Sequence, residues 1–491
     1  MPGEGLERDA SSLTGLPLRL IQLACLVLVG IKAVHWVRTG IYMDEAYYWM
    51  WGQHPGLSYF DHPPLNAWLL GLSSTVFGWN KLALRAPVVL SFLVDIYVLS
   101  LFARRIGGDW RRHFWLTLLL FLATPIFAFV TDFPLPDHLL LTGVLAATCC
   151  FFRFFGDRAA GQPGQTRDLM LGALFLGLAG LAKYNAAFLG LGVAAFVLFC
   201  DRALLREARI WLAGALALAI QTPVIAWNAT QRFASYDFIL DGRHAGLRAS
   251  FDGLGLLLVN LLIFVSPFLL WPLGRFLLSR RGAAPGTGFA RATFALSSAA
   301  ILGLSFTTQT LFHWNLVAYA VALPFLARQL RPAWLFVPLQ TAWGILAAVV
   351  ILLNFSTNPL LGITAWRDES AAWSQDWSEA AQAVTDAQAA SGAAFVATAD
   401  YTTAALLGFA LADPDVVSLS PRRDQYDFWF EPAAHAGEDA ILYGDSYRPL
   451  TGEVTALFDS VTPVATITVH SEGQGINSQT VYLGKGFRPA R

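Results

Sequence analysis

The sequence predicts an α-helical polytopic membrane protein of roughly eleven transmembrane helices, followed by a small C-terminal extracytoplasmic α/β domain. Three observations carry that expectation. Hydrophobic residues fill 55% of the 491 positions and charged residues only 14%, against about a quarter in soluble chains. Mean hydropathy is +0.51. Apolar stretches of span length recur as far as residue 354, after which the texture turns polar and the apolar runs shorten to strand length. A net charge of −1 gives no sign of a nucleic-acid partner. The four cysteines, Cys25, Cys149, Cys150 and Cys200, all lie in apolar runs without zinc spacing, and leave the redox compartment open.

Taken in order, the expected spans are 16–36, 82–103, 113–131, 137–155, 168–182, 184–200, 207–227, 252–278, 290–309, 314–328 and 332–354. Only helices satisfy their own backbone in lipid, so each run of this length is read as one. The first, Leu16–Val34, is long for a signal peptide and has no small-residue cleavage site after it, so it is expected to be retained. Arginines supply the orientation. They crowd every second connection: Arg104, Arg105, Arg111 and Arg112; then Arg153, Arg158 and Arg167; then Arg202, Arg206 and Arg209; then Arg275, Arg280, Arg281 and Arg291; then Arg328 and Arg331. By the positive-inside rule these connections and the N-terminus are cytoplasmic. An odd number of spans then puts the C-terminus outside.

Two domains follow: a transmembrane domain over 1–354, containing a long first outer loop at 37–81, and an external domain over 355–491. In the latter, Ala394–Ala399, Val416–Leu419, Ala440–Gly444 and Val464–Val469 read as strands, and Trp377–Ala390 and Thr402–Leu411 as helices.

The residues able to carry chemistry fall mostly on the connections assigned to the outer face. Ile41–Leu65 sets Asp44 and Glu45 side by side among seven aromatic rings and closes on Asp61-His62-Pro63-Pro64. Rings with a polar edge belong at a membrane surface. Acids there are costly unless they have a task. A lone acidic pair would more often cap a short helix, here Glu45–Trp51. Placed straight after the first span, it is read as a general base for an attacking hydroxyl. Asp137 opens the fourth span and serves equally as an N-cap or as a second converging acid. Asp132, one turn earlier, ranks below it. Lys183, in a tight connection between apolar helices, suits a phosphate or snorkels to the interface. The outer loop Trp227–Ser250 carries Asp241, Arg243, His244 and Arg248, a composition fitting either a lid over an anionic headgroup or a solvated loop. Asp61, His62, Tyr47 and His244 are read as acceptor-binding or supporting groups. A divalent metal ion near Glu45, Asp137 or His62 is left open, and no other cofactor is indicated. With no phosphate-cradling glycine loop, a lipid-borne donor fits better than a nucleotide sugar. Asp95, inside the second span, has no assigned role.

The segments DEAYYW, LSYFDHPPL, LPDHLLLTG, GLAKYNAAFL and HWNLVAYAVALP resemble the bacterial members of glycosyltransferase family 39. These are the dolichyl-phosphate-mannose-protein mannosyltransferase-like proteins, which include the lipid A aminoarabinose transferase type. The resemblance covers about residues 16–330. It implies the GT-C fold and transfer of one monosaccharide from a polyprenyl phosphate, with inversion, outside the cytoplasm of a bacterial inner membrane. By position, Asp44 matches the family's catalytic acid, with Glu45 beside it. Asp137 matches the acid opening the fourth span, and Lys183 the basic residue near the donor phosphate. Arg243 falls in the loop that holds a phosphate-binding arginine. Two departures stand out: His138 replaces a small residue, and the C-terminal domain has no close counterpart in the protein mannosyltransferases. Its run Arg423–Trp429 would line a glycan surface or fold back as a loop.

The partners expected are therefore a polyprenyl-phosphate sugar donor, an envelope lipid or glycan acceptor such as lipid A or the lipopolysaccharide core, and membrane lipids. Two other readings keep the same architecture: a protein O-mannosyltransferase-like enzyme, and a non-catalytic lipid-linked sugar flippase. The flippase reading is weakened by acids that sit at the interface rather than the midplane, and by the absence of repeated halves.

Overall fold

The structure, a computed structural model, describes residues 16–238, 251–278, 284–357, 368–471 and 474–489. The chain falls into two compact units. One gathers Met1–Ala33, His62–Leu65 and Pro87–Val349; the other gathers Val34–Asp61, Asn66–Ala86 and Val350–Arg491. This division departs from a boundary at 354/355. Most of the first loop, expected within the 1–354 domain, clusters instead with the C-terminal residues.

Proline and backbone breaks decide how the apolar runs become helices. Among the described residues five helices are long and apolar enough to cross a membrane: Leu18–Arg38, Lys81–Ile106, Pro136–Ala159, Gly288–Ser305 and Ala333–Ser356. Two more expected spans are bent pairs. Ala208–Ala219 meets Thr222–Thr230 at 46°, and Asp252–Val265 meets Pro267–Leu278 at 98°. The second bend follows Ser266 at φ 87 and the ring of Pro267. The run expected at 113–131 divides into Trp110–Ala123 and Pro125–Val130, because Thr124 precedes a proline and adopts an extended backbone. Thr166–Ala182, Ala187–Cys200 and Leu316–Leu326 are shorter helices. Among the described residues the helices long and apolar enough to span number five, or seven if each bent pair is one span, fewer than the eleven expected; the remaining expected spans are shorter helices.

Of the five long helices, Pro136–Ala159 is the most buried. It packs closely on Thr166–Ala182: a Cβ at Gly143 would stand 3.0 Å from the Cα of Ala179. Small residues let helix backbones approach where lipid provides no hydrophobic drive between helices. That approach aligns the helix whose first turn holds Asp137 with the helix that ends before Lys183.

In the other unit a five-stranded sheet runs in the order β2-β1-β3-β5-β4. The strands are β1 (Phe395–Thr398), β2 (Val417–Ser418), β3 (Ala440–Asp445), β4 (Phe458–Ser471) and β5 (Gln474–Phe487). β1 is parallel to β2 and β3, with Phe395 opposite Ala440, while β3–β5 and β4–β5 are antiparallel. Every residue of β1 and β3 is buried, the mark of inner parallel strands. β4 is longer than expected and carries Pro463, which an edge strand tolerates. β5 was not anticipated, because INSQTVYLGKGF reads as a glycine-broken polar alternation. Helices Ser378–Ser391 and Tyr401–Leu411 lie within a residue of their expected positions. The second starts where the Asp400 side chain accepts from the Thr402 amide at 2.9 Å.

Gly40 follows the first helix and lies against the 374 turn. A methyl at Gly40 would land 1.4 Å from the Ser374 carbonyl oxygen, a backbone atom that no rotamer change can move. Gly40→Ala should therefore destabilise this unit by about 3 kcal/mol, read as a lower thermal midpoint of the detergent-solubilised protein.

Candidate functional site

The helix Met43–Gln53 starts where the sequence supplies its own cap. The Tyr42 amide donates to Glu45 Oε1 at 2.7 Å, closing a capping box. The same oxygen accepts from Arg85 Nη2 at 2.7 Å and Oε2 accepts from Arg85 Nε at 3.3 Å. Glu45 is fully buried and Arg85 nearly so. Arg85 also donates to the carbonyl of Trp36 at 2.8 Å and the hydroxyl of Thr39 at 3.0 Å. Both oxygens of Glu45 are thus committed to holding the loop helix against the end of the first span. These contacts hold the loop helix; from the sequence, Glu45 is read beside Asp44 as a catalytic group. The physical reason is that a buried carboxylate needs a fixed counter-charge, and Arg85 is within reach.

Asp44 occupies the next position on the same first turn and is half-buried. It lies near two phenols. Burial first, and then the Asp44 charge, push Tyr42 and Tyr401 upward. Tyr47, one turn further along, is buried and donates from its hydroxyl to Asp61 Oδ2 at 2.9 Å. Its oxygen accepts from the Gln425 amide at 3.0 Å. The Tyr47 ring stands 4.7 Å from that of Tyr401 and 5.1 Å from that of Trp51. Arg422 stacks over Tyr401 at 5.1 Å and reaches Asp61 Oδ1 at 3.9 Å. Asp44, Asp61, Tyr47, Tyr401 and Arg422 therefore form one neighbourhood. Tyr401 and Arg422, from the C-terminal segment, were not singled out by the sequence.

The Arg423–Trp429 run folds onto the first-loop residues. Trp429 stacks on His54 at 4.3 Å, and Arg423 covers the rings of Phe428 at 4.8 Å and Phe60 at 5.7 Å. Gln425 accepts from the Phe60 amide at 2.7 Å. Within the run, Asp424 accepts from the Tyr426 amide at 2.8 Å and the Ser418 hydroxyl at 3.0 Å. Burial, followed by the carboxylate of Asp427, pushes Asp424 up to about 8.

In the other unit, Lys183 Nζ donates to Asp137 Oδ2 at 2.7 Å. Both side chains are only 5% exposed. Lys183 follows the last residue of Thr166–Ala182 in an extended conformation that turns its side chain out of the helix line. Asp137 sits in the first turn of Pro136–Ala159, and its Oδ1 is buried without a hydrogen bond among the described residues. His138 is fully buried with Nδ1 2.7 Å from Ser91 Oγ, so it ties helices together. His62 is buried in this unit as well. Arg243 and His244 lie outside the described residues. No three His, Cys, Asp or Glu side chains converge as a metal site among the described residues.

Sequence reasoning missed a second buried pair. Lys32 donates to Asp132, to Thr131 Oγ1 at 2.9 Å and to the Ala128 carbonyl at 3.0 Å. Asp95, fully buried, lies within the field of Lys32. The available signal was a lysine inside an apolar span, which needs a partner. Arg85 gave the same signal at the start of the second span.

The sequence pattern of the dolichyl-phosphate-mannose-protein mannosyltransferase family matches residues 61–227. The lipid A galacturonosyltransferase RgtD of Rhizobium johnstonii is 29% identical over 197 residues, covering 39% of this chain and 39% of that protein. An undecaprenyl phosphate-α-4-amino-4-deoxy-L-arabinose arabinosyl transferase of Shewanella sediminis is 26% identical over 186 residues, covering 38% of this chain and 29% of that protein. The chain thus aligns with about two fifths or less of these relatives. Among solved structures, ArnT of Cupriavidus metallidurans bound to undecaprenyl phosphate superposes with a TM-score of 0.61 at 16% identity, covering 93% of this chain and 97% of that one. This likeness establishes the fold.

Two outcomes follow from the site's electrostatics. Arg85→Met leaves Glu45 buried and unpaired and should cost about 3–5 kcal/mol, with the Glu45→Leu/Arg85→Met double variant recovering part of the loss in thermal melts. Asp424 carries its proton in the folded state from its ordinary 3.8 up to about 8. Its stabilising contribution is complete below about pH 4, declines as pH rises towards 8 and is lost above that. The thermal midpoint should fall over this window, and Asp424→Asn should flatten that part of the pH profile.

Proposed function

From a chain with the GT-C fold and a partial mannosyltransferase sequence signature, we propose an inverting glycosyltransferase. It moves a single sugar from a polyprenyl-phosphate donor to an envelope acceptor on the outer face of a bacterial inner membrane. The names of both sequence relatives describe sugar transferases, one of lipid A and one using an undecaprenyl-phosphate-linked sugar. They favour a lipid A or related envelope acceptor. The family signature names protein mannosylation and keeps a protein acceptor as the second reading.

One observation carries the proposal: Asp44 is a half-exposed carboxylate on a helix whose neighbouring acid, Glu45, is locked by Arg85. Asp44 accepts the proton of the acceptor hydroxyl as its oxygen attacks the anomeric carbon. The bond from that carbon to the donor phosphate oxygen breaks, with inversion, and the polyprenyl phosphate departs with the electron pair. By sequence position alone, Lys183 and Arg243 are the cations assigned to the departing phosphate. The contact with Asp137 Oδ2 holds the Lys183 nitrogen in place. Preorganised charge of this kind usually contributes the largest share of rate.

Asp44→Asn should lower turnover by about 10²–10⁴-fold while donor binding persists. The measurement is mass spectrometry of envelope lipids and glycans from a deletion strain carrying wild type or Asp44→Asn. Loss of one sugar mass, with its polyprenyl-phosphate sugar accumulating, is the expected result. Turnover within tenfold of wild type would remove Asp44 as the base.

A further inference from the structure

The unit built from the first loop and the C-terminal residues contains a cleft of about 620 Å³ whose lining includes none of Asp44, Tyr47, Asp61, Tyr401 and Arg422. The helix Tyr401–Leu411 gives the separation. Tyr401, beside Asp44, is its first residue, whereas the cleft takes Leu406, Phe409 and Ala410 from its second half. From Tyr401 to Leu406 is five residues of helix, about 7.5 Å.

The cleft lies where three membrane-length helices end. Arg38 is the last residue of Leu18–Arg38, Lys81 the first of Lys81–Ile106, and Phe355 and Ser356 the last two of Ala333–Ser356; all four line it. Just inside these ends, Val37, Leu82 and Leu353 are 68%, 73% and 43% exposed. Such side chains face acyl chains, and so place the cleft at the level of the lipid headgroups. Trp79 and Trp377 form part of its wall, as indole rings do at that depth.

The charge in the cleft is cationic. Arg38 is exposed and, among the described residues, makes no ion pair or side-chain hydrogen bond. Lys81 lies close enough for the two charges to bear on each other. Lys81 donates to the Val37 carbonyl at 2.8 Å and the Thr39 carbonyl at 2.9 Å, covering the open end of the first helix and leaving its third donor. The acid in the wall, Asp376, is occupied as a cap, accepting from the Ser378 amide at 2.9 Å and the Ser378 hydroxyl at 2.8 Å.

We propose that this cleft binds a phospholipid of the surrounding bilayer. Its phosphodiester lies between Arg38 and Lys81, its glycerol against Trp79 and Phe409, and its chains run down past Val37 and Leu82. The volume suits a headgroup with the first carbons of its chains rather than a single small anion. The bound lipid neutralises two like charges at the point where the first helix hands over to the loop helix. It is a structural lipid of the loop, distinct from donor or acceptor.

The test is native mass spectrometry of the full-length protein released from nanodiscs of equal parts phosphatidylethanolamine and phosphatidylglycerol. Wild type should retain one phospholipid. Arg38→Gln should lower its occupancy about tenfold, as loss of one charge-assisted contact does. Ala410→Phe, which fills the cleft without touching a charge, should lower it comparably and keeps the comparison valid if Arg38→Gln reduces stability. Equal retention by wild type and both variants, or no retention by wild type, would overturn the proposal. So would displacement of the lipid by millimolar inorganic phosphate, which would make this a free-anion site. None of these readouts depends on sugar transfer, so the lipid site and the proposed activity stand or fall separately.

Discussion

A charge taken out of water must bring its own counter-charge, and three buried pairs in the structure answer to that constraint. Glu45 meets Arg85, Asp132 meets Lys32, and Asp137 meets Lys183. Each pair joins segments far apart in sequence, so each fixes a helix end relative to another element of its own unit. In water such pairs would contribute little. Buried, each partner is expensive to lose, so the pairs specify geometry more than they add stability.

That geometry separates holding from reacting. Adjacent residues on a helix point about a third of a turn apart. Glu45 is therefore turned into the protein and spent on Arg85, while Asp44 is left half-exposed among Tyr42, Tyr401 and the residues around Asp61. Two neighbouring acids receive opposite fates from one helical step. The aromatic rings about Tyr47 then supply a stiff, low-dielectric wall, with hydroxyls that orient Asp61 and the 425 turn.

Much of this was legible in the sequence. The apolar runs marked the five long helices to within a few positions, but not the break at Thr124 or the bends in the 207–227 and 252–278 runs. The DE pair, LPDH and LAKYN marked four residues, Asp44, Glu45, Asp137 and Lys183, that the structure places at helix ends. The β1 and β3 strands were visible as short β-branched and apolar runs. What was not legible depends on partners distant in sequence. Arg85 and Lys32 looked like isolated cations in apolar runs. Tyr401 and Arg422 lie more than 350 residues from the acid they accompany. The strand β5 gave no period-2 apolar signal because, as one half of a long hairpin with an edge strand, it is only intermittently buried.

The sequence by itself determined that the chain is a helical membrane protein with a polar, partly stranded C-terminal part, because hydropathy and periodicity are local properties. It also determined which acids and cations are candidates, because any ionisable group in an apolar run must have a task. Only the tertiary structure decided which of them hold and which face outward. It committed Glu45 to Arg85, set Asp137 against Lys183, buried His138 against Ser91 and drew the first loop into one unit with the C-terminal sheet. A carboxylate's role depends on the nearest opposite charge in space, and that distance is set by packing between segments that composition and spacing do not relate.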